Sequence, residues 1–300
     1  MQLFHGLSAF PLTPADERGK VDTAALGLIL ERLVDAGVDS IGLLGSTGIY
    51  AYLSADERKR ALRAAVEAVA GRVPLIVGVG ALRTDVAVEL ARDAATAGAD
   101  ALLLAPVSYT PLHAREVFQH FGTVAGASDL PLCIYNNPGT THFTFSIDLL
   151  HRLAEVPNIR AVKMPPPSDG DLPAALATLR SGAAGRLAIG YSADWIVAPS
   201  LSAGADLFFS ALGGILPAPL LRLARAAQAG NAAETARIDT AFAPLWQLLR
   251  EFGGLRISYH LANQFGLTTA QPPLPVLPLP DAEAPRLAAA LDAVIAATAK

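Results

Sequence analysis

The sequence predicts an α/β chain folded as a (β/α)8 barrel with a C-terminal helical extension. Three observations predict it. Eight short apolar runs alternate with eight helical segments over about the first 225 of the 300 residues. Several of the runs are continuously apolar, as expected of parallel strands covered on both faces. Eight βα units in succession favour a closed barrel over an open sheet. Residues 1–225 are assigned to the barrel and residues 226–300 to the extension.

The elements follow in order. Leu3 to Phe10 reads as a strand closed by Pro11-Leu12-Thr13-Pro14. A helix runs from Asp22 to Ala36, and Val38 to Leu44 is a strand ending in the turn Gly45-Ser46-Thr47-Gly48. Ser54 with Glu57 three residues on has the pattern of a capping box, opening a helix to Ala70. Strand Pro74–Val79, rich in Val and Ile, leads to a helix from Thr84 or Asp85 that stops near Gly98. Strand Asp100–Ala105 precedes helix Leu112–Ala127, and strand Leu130–Tyr135 precedes a loop from Asn136 to Thr144 and a helix opened by Ser146. The sixth strand spans residues 158–164, with a helix from Asp171 to Arg180. Strand Arg186–Gly190, a short helix Asp194–Leu201, strand Ala205–Ser210 and helix Pro217–Ala229 complete the barrel. The extension comprises helices Asn231–Glu251, Leu255–Gln264 and Asp281–Ala299. The proline-rich stretch Gln271 to Pro280 reads as a stiff extended connector.

Composition narrows the function. Hydrophobic residues make up 52% and charged residues 17%, which excludes a disordered chain. A net charge of −4 leaves no basic footprint for nucleic acid. A single cysteine, Cys133, rules out an intrachain disulfide and suits a reducing compartment. No signal peptide and no apolar run of about 20 residues is visible, so a cytoplasmic protein without a membrane span is expected. The six histidines show no metal-ligand spacing, and no G-x-S-x-G elbow is present.

Lys163 stands out. The chain has four lysines, and Lys20, Lys59 and Lys300 read as surface positions. Lys163 lies near the C-terminal end of an apolar strand. Burying an ammonium without a partner favours the neutral amine, and a neutral amine attacks carbonyl carbon. The competing reading is a strand-ending lysine that reaches solvent or one carboxylate.

In a parallel barrel the chemistry sits at the C-terminal ends of the strands. That gathers Gly45 to Gly48, Ser108 to Thr110, Tyr135 to Thr144, and Lys163 at one mouth. Side chains alternate along a strand, so an inward Tyr135 brings Cys133 inward, and an inward Lys163 brings Ala161. Leu132 and Ile134 then face the helices. Tyr135 could equally be core filler. The Gly45–Gly48 turn offers backbone N–H groups that suit a carboxylate or phosphate, or serves only as a tight βα turn.

Together these stretches resemble the dihydrodipicolinate synthase / N-acetylneuraminate lyase family along nearly the whole chain. Gly45-Ser46-Thr47-Gly48 matches the family's G-x-x-G-E, Tyr135-Asn136-Asn137-Pro138 its Y-N-x-P, and Ala161-Val162-Lys163 its G-x-K strand. Gly190 matches a glycine after strand seven. The resemblance implies a TIM barrel with a helical extension, a homotetramer or homodimer, and no metal or organic cofactor. It implies a Schiff base between Lys163 and pyruvate or a related 2-keto acid, with an aldehyde as a further partner. By the same resemblance Tyr135 shuttles protons, Ser46 continues the relay, and Ser46 and Thr47 hold the keto-acid carboxylate. Gly48, Tyr109, Thr140 and Gly190 complete the implied substrate site.

Three departures bear on the second substrate. Ile49 replaces the glutamate of the glycine motif. Thr140 stands where the synthase has the arginine that clamps the aldehyde's carboxylate, and threonine cannot make that bidentate clamp. Val107 and Ser108 align with the synthase's paired tyrosines, leaving Tyr109 one residue on. These changes predict a neutral or hydroxylated aldehyde, or dehydration of a sugar-derived keto acid, rather than aspartate semialdehyde. The alternatives are a true 4-hydroxy-tetrahydrodipicolinate synthase of lysine biosynthesis, and a non-catalytic barrel that binds a keto acid.

Overall fold

Short apolar runs become short strands, because each needs only enough residues to cross the barrel wall. The computed structural model describes residues 3–183 and 185–299, so the surface position expected of Lys300 lies outside the described residues. The strands are β1 (Gly6–Ala9), β2 (Ser40–Leu43), β3 (Leu75–Gly78), β4 (Ala101–Leu104), β5 (Leu132–Tyr135), β6 (Ile159–Met164), β7 (Ala188–Tyr191) and β8 (Leu207–Ser210). All neighbours are parallel, and β8 pairs with β1 to close the barrel. Each observed strand is shorter than its expected run: Phe10, Leu44, Val79 and Ala105 leave the ladder at the rim while staying buried, and Asp100 and Arg186 lie exposed before their strands begin.

The helices are α1 (Thr23–Ala36), α2 (Ala55–Val69), α3 (Thr84–Ala97), α4 (Ala114–Ala125), α5 (Pro138–Thr141), α6 (Ile147–Leu153), α7 (Leu172–Ala183), α8 (Val197–Ser202), α9 (Pro217–Gln228), α10 (Ala232–Gln264) and α11 (Ala284–Thr298). Caps set several starts. Asp22 accepts from the N–H groups of Ala24 and Ala25, and Ser146 accepts from that of Leu149. The capping box at Ser54 is half formed. Ser54 takes the Glu57 N–H at 3.3 Å, but the Glu57 carboxylate turns to the Val21 N–H at 2.7 Å and to Arg60. A charged partner and an orphan donor across the loop outcompete the local backbone N–H.

Two further details differ from the sequence reading. The loop from Asn136 to Thr144 contains the single helical turn α5. The two helices expected around residue 253 run into each other as α10, broken where Gly253 takes φ 79° and ψ 152°. The stretch from Gln271 to Pro280 has no regular structure and lies between α10 and α11, which pack together.

Alternation along the strands separates two apolar layers. Cys133, Tyr135, Ala161, Phe10 and Phe209 belong to the barrel interior. Leu132, Ile134 and Val162 face the helices. Register then places Lys163 beside Tyr135 on one side and Gly190 on the other. No described helix is long and apolar enough to cross a membrane.

Candidate active site

Lys163 ends the inward face of β6 and is 5% exposed. Its Nζ lies 4.1 Å from the centre of the Phe10 ring, 4.2 Å from that of Tyr135 and 5.4 Å from that of Phe209. Among the described residues Lys59 pairs with Asp93 at 2.8 Å, whereas Lys163 has no carboxylate at that range. Aromatic faces attract a cation through their quadrupoles while keeping water and competing anions away. Ala161 and Cys133 lie beneath, both buried.

Phe10 owes its position to glycines. A methyl group on Gly42 would lie 2.2 Å from its ring, and one on Gly45 would lie 2.5 Å away. Gly190 serves Phe209 the same way, since an added carbon there would meet that ring at 2.6 Å. Gly190 therefore leaves room for the aromatic wall around the amine.

The Tyr135 hydroxyl lies 3.3 Å from Ser46 Oγ and accepts from Asn137 Nδ2 at 2.9 Å. Ser46, on the loop after β2, reaches β5 across the mouth. In the same loop, Thr47 is buried and Gly48 closes a tight turn, where an added carbon would meet the Leu44 backbone at 3.0 Å. Among the described residues the N–H groups of Ser46, Thr47 and Gly48 donate to no protein acceptor. Three adjacent free donors make an anion nest. The turn is strained: Leu44 has φ 56° and Ile49 φ 51°. A buried β-branched residue in the left-handed region is uncommon and costs about 1–3 kcal/mol.

Tyr50 follows, its ring under the Arg58 guanidinium at 5.4 Å. Arg58 is buried and donates to the carbonyls of Gly80 at 3.0 Å and Gly78 at 2.8 Å. Burial pushes the Arg58 guanidinium down to about 10 and the Tyr50 phenol up to about 12, the latter helped by Tyr135 nearby.

Among the described residues neither Thr140 nor Tyr109 hydrogen-bonds to Lys163, Tyr135 or Ser46 through its side chain. Thr140 is exposed on α5, and its hydroxyl donates to the Asn137 carbonyl at 3.3 Å. Thr141 donates to the same carbonyl at 3.0 Å. Both hydroxyls thus tie down the turn that carries Asn137. Tyr109 is 96% exposed. Sequence reasoning missed Phe10, Phe209, Asn137, Tyr50 and Arg58. Only Asn137 carried a signal, its place inside the Tyr135–Pro138 motif. Among the described residues no cluster of three or more His, Cys, Asp or Glu side chains could hold a metal ion. A cavity of about 600 Å³ between α9 and α11 is lined by Ala218, Pro219, Arg222, Ile295, Thr298 and Ala299, with no lysine, cysteine or carboxylate side chain among them.

A model of the dihydrodipicolinate synthetase family matches residues 3–294. The 4-hydroxy-tetrahydrodipicolinate synthase of Corynebacterium aurimucosum is 36% identical over 266 residues, covering 88% of this chain and 86% of the relative. That of Mycobacterium leprae is 34% identical over 271 residues, covering 89% and 87%. Among solved structures, the dihydrodipicolinate synthase from Agrobacterium tumefaciens superposes with a TM-score of 0.95 at 57% identity, over 97% of this chain and 98% of that one. The dihydrodipicolinate synthase from Acinetobacter baumannii, complexed with pyruvate, gives 0.87 at 30% identity, over 97% and 99%. With the family model spanning nearly every residue and these relatives aligned over most of their length, the chain belongs to the dihydrodipicolinate synthetase family and is an aldolase-type lyase, a synthase of a family that uses small keto acids.

Proposed function

We propose that the chain forms a Schiff base between Lys163 and a 2-keto acid of the pyruvate class, and adds the resulting enamine to an aldehyde. The observation that carries this reading is the Lys163 amine, walled by three rings beside the Ser46–Tyr135 pair and a free N–H nest.

The keto-acid carboxylate docks on the N–H groups of Ser46 and Thr47. The Lys163 lone pair attacks C2, and the carbonyl oxygen leaves as water with protons supplied through Tyr135. The iminium withdraws electrons from C3, which loses a proton to give the enamine. The enamine carbon bonds to the aldehyde carbon, and Tyr135 protonates the new alkoxide. Hydrolysis of the iminium frees Lys163. Ser46 and Asn137 hold the Tyr135 hydroxyl in line for each transfer. Gly48 shapes the nest, and Gly190 makes room for the wall. These steps need no cofactor.

Thr140 provides no guanidinium for a carboxylate-bearing aldehyde, which favours a neutral or hydroxylated partner. The named relatives favour the second reading, 4-hydroxy-tetrahydrodipicolinate synthase itself. Steady-state assay separates them: efficient condensation of pyruvate with aspartate semialdehyde decides for the second. The test of the shared step is borohydride reduction in the presence of pyruvate, followed by peptide mass spectrometry. A reduced adduct on Lys163 is expected. Its absence with pyruvate and with longer keto acids leaves a non-catalytic keto-acid-binding barrel.

The same proposal keeps the chemistry in residues 1–225 and assigns residues 226–300 to the extension. It also places the protein in the cytoplasm, in keeping with the single buried thiol of Cys133. Exposed Leu82 and Tyr109 are large apolar side chains that suit a homodimer or homotetramer contact. Sedimentation of the purified protein as a monomer at micromolar concentration would remove that part.

A further inference from the structure

The buried face of α2 carries one charged side chain. Its buried residues are Arg58, Ala61, Leu62, Ala65 and Val69, the spacing of a helix face turned to the core. A guanidinium in that row is costly to bury unless its donors are satisfied. Arg58 is 6% exposed, and its fork reaches past the helix to the rim of the barrel. Its Nη2 donates to the Gly78 carbonyl at 2.8 Å and its Nη1 to the Gly80 carbonyl at 3.0 Å. Among the described residues its Nε is buried without a partner and no carboxylate pairs with it. The chemistry above gives this cation no part.

What Arg58 grips borders the loop that carries the nest. That loop leaves β2 at Leu44 and ends at Ile49, both in left-handed backbone, and the Ile49 N–H donates to the Ser46 carbonyl at 3.1 Å to close it. At the Leu44 end, Gly78 presses on the loop: an added carbon there would lie 2.0 Å from the Leu44 carbonyl oxygen. Leu44, Arg58, Gly78 and Val79 line one small gap behind the rim. At the Ile49 end, the Tyr50 ring lies 5.4 Å from the Arg58 guanidinium. The same ring abuts Gly80, where an added carbon would meet it at 3.3 Å. One guanidinium thus reaches the supports of both ends of the loop.

We propose that Arg58 is the positioning residue of the carboxylate nest: by tying the end of β3 and the Tyr50 ring against the two ends of the Leu44–Ile49 loop, it keeps the N–H groups of Ser46, Thr47 and Gly48 aimed at the substrate's carboxylate. This rests on the reading above, in which those groups hold the keto acid. Loosening either end lets Leu44 or Ile49 relax to ordinary backbone, which turns the three donors away from one another. A planar fork spans two carbonyls and offers a flat face to a ring, and a lysine ammonium does not do both at once. Among the described residues Arg58 makes no hydrogen bond to Lys163, Tyr135 or Ser46, so its loss falls on carboxylate docking rather than on the imine step.

The experiment measures the rate of borohydride trapping against pyruvate concentration in the wild type, Arg58→Lys and Arg58→Met, each checked for a native thermal transition. In both variants the half-saturating concentration rises about tenfold, the worth of one hydrogen bond to a charged group, while the maximal trapping rate stays within about twofold. Arg58→Lys keeps the charge, so its failure to restore affinity assigns the effect to the fork. Wild-type half-saturation in Arg58→Lys overturns the proposal. So does a loss confined to the maximal rate, which is what a lesion of packing alone produces.

Tyr50→Leu keeps the proposal testable if the Arg58 variants do not fold. It takes the ring from the guanidinium and leaves the Gly78 and Gly80 contacts in place, and the half-saturating concentration is expected to rise about threefold. No rise overturns the proposal. Ligand-observed NMR of pyruvate with Lys163→Ala, with and without Arg58→Lys, reads the nest without any imine. The affinity is expected to fall about tenfold in the double variant, and equal affinities overturn the proposal. Failure of the wild type to trap any adduct overturns the Schiff-base reading instead, and the NMR comparison then decides the part of Arg58 by itself.

Discussion

Replacing Tyr135 with phenylalanine removes one oxygen and leaves the ring beside Lys163 in place. The cage survives, while the hydroxyl that meets Ser46 and Asn137 is lost. Tyr135→Phe is expected to lower kcat about 10²- to 10⁴-fold with little change in thermal midpoint, read by steady-state kinetics beside a melt. Lys163→Ala should abolish the trapped adduct entirely, and mass spectrometry of the reduced protein checks it. Retained keto-acid affinity in that variant, with no turnover lost, would favour binding over catalysis. The sequence made Lys163 legible because it is the one lysine in an apolar strand. It made Tyr135 legible only through the motif around it, since a tyrosine among apolar residues also serves as core.

At the scale of elements, the loop after β2 does the most. It presents three free N–H groups because Leu44 and Ile49 accept left-handed backbone and Gly48 closes against Leu44. The same region seats Phe10 through Gly42 and Gly45. Gly42→Ala places a carbon 2.2 Å from that ring, so Phe10 must move. The expected result is about 1–3 kcal/mol lost in denaturant unfolding, together with slower adduct formation. Ser54→Ala removes the cap that takes the Glu57 N–H and should cost about 1 kcal/mol without touching the adduct. Equal loss of adduct in both variants would mean that Phe10 has no particular part in the amine's surroundings.

At the scale of the whole molecule, charged side chains lock the closing helices onto the barrel. Arg225 of α9 reaches both oxygens of Asp39, at 2.7 and 2.8 Å, and Asp39 also takes the Leu7 N–H at the start of β1. Glu234 joins Arg222 of α9 to Arg237 of α10, and Arg222 also holds the carbonyls of Thr298 and Ala299. Those two guanidinium groups, Arg237 first, bring the Glu234 carboxyl down to about 2. A carboxylate depressed from its ordinary 4.5 contributes stability above that value and loses it as pH falls toward 2. Glu234→Gln should therefore melt lower than the wild type at pH 7, with the gap closing as pH approaches 2. A constant gap across that window would mean that the charge at Glu234 contributes nothing.

The barrel was legible because its causes are local: eight apolar runs, turn glycines and caps each act within a few residues. Alternation within β5 and β6 was equally local, and it put Tyr135 and Lys163 on one face. Closure decided the rest. Phe10 and Phe209 approach Lys163 only because β8 pairs with β1 and closes the barrel, a contact between positions far apart in the chain. Nothing in their immediate neighbours marks them. The hydroxyls of Thr140 and Thr141 looked free in the sequence, but the α5 turn commits both to the Asn137 carbonyl. A side chain's type is written in the sequence. Which partner satisfies it depends on which backbone group the fold leaves unpaired nearby, and that is settled only when the barrel closes.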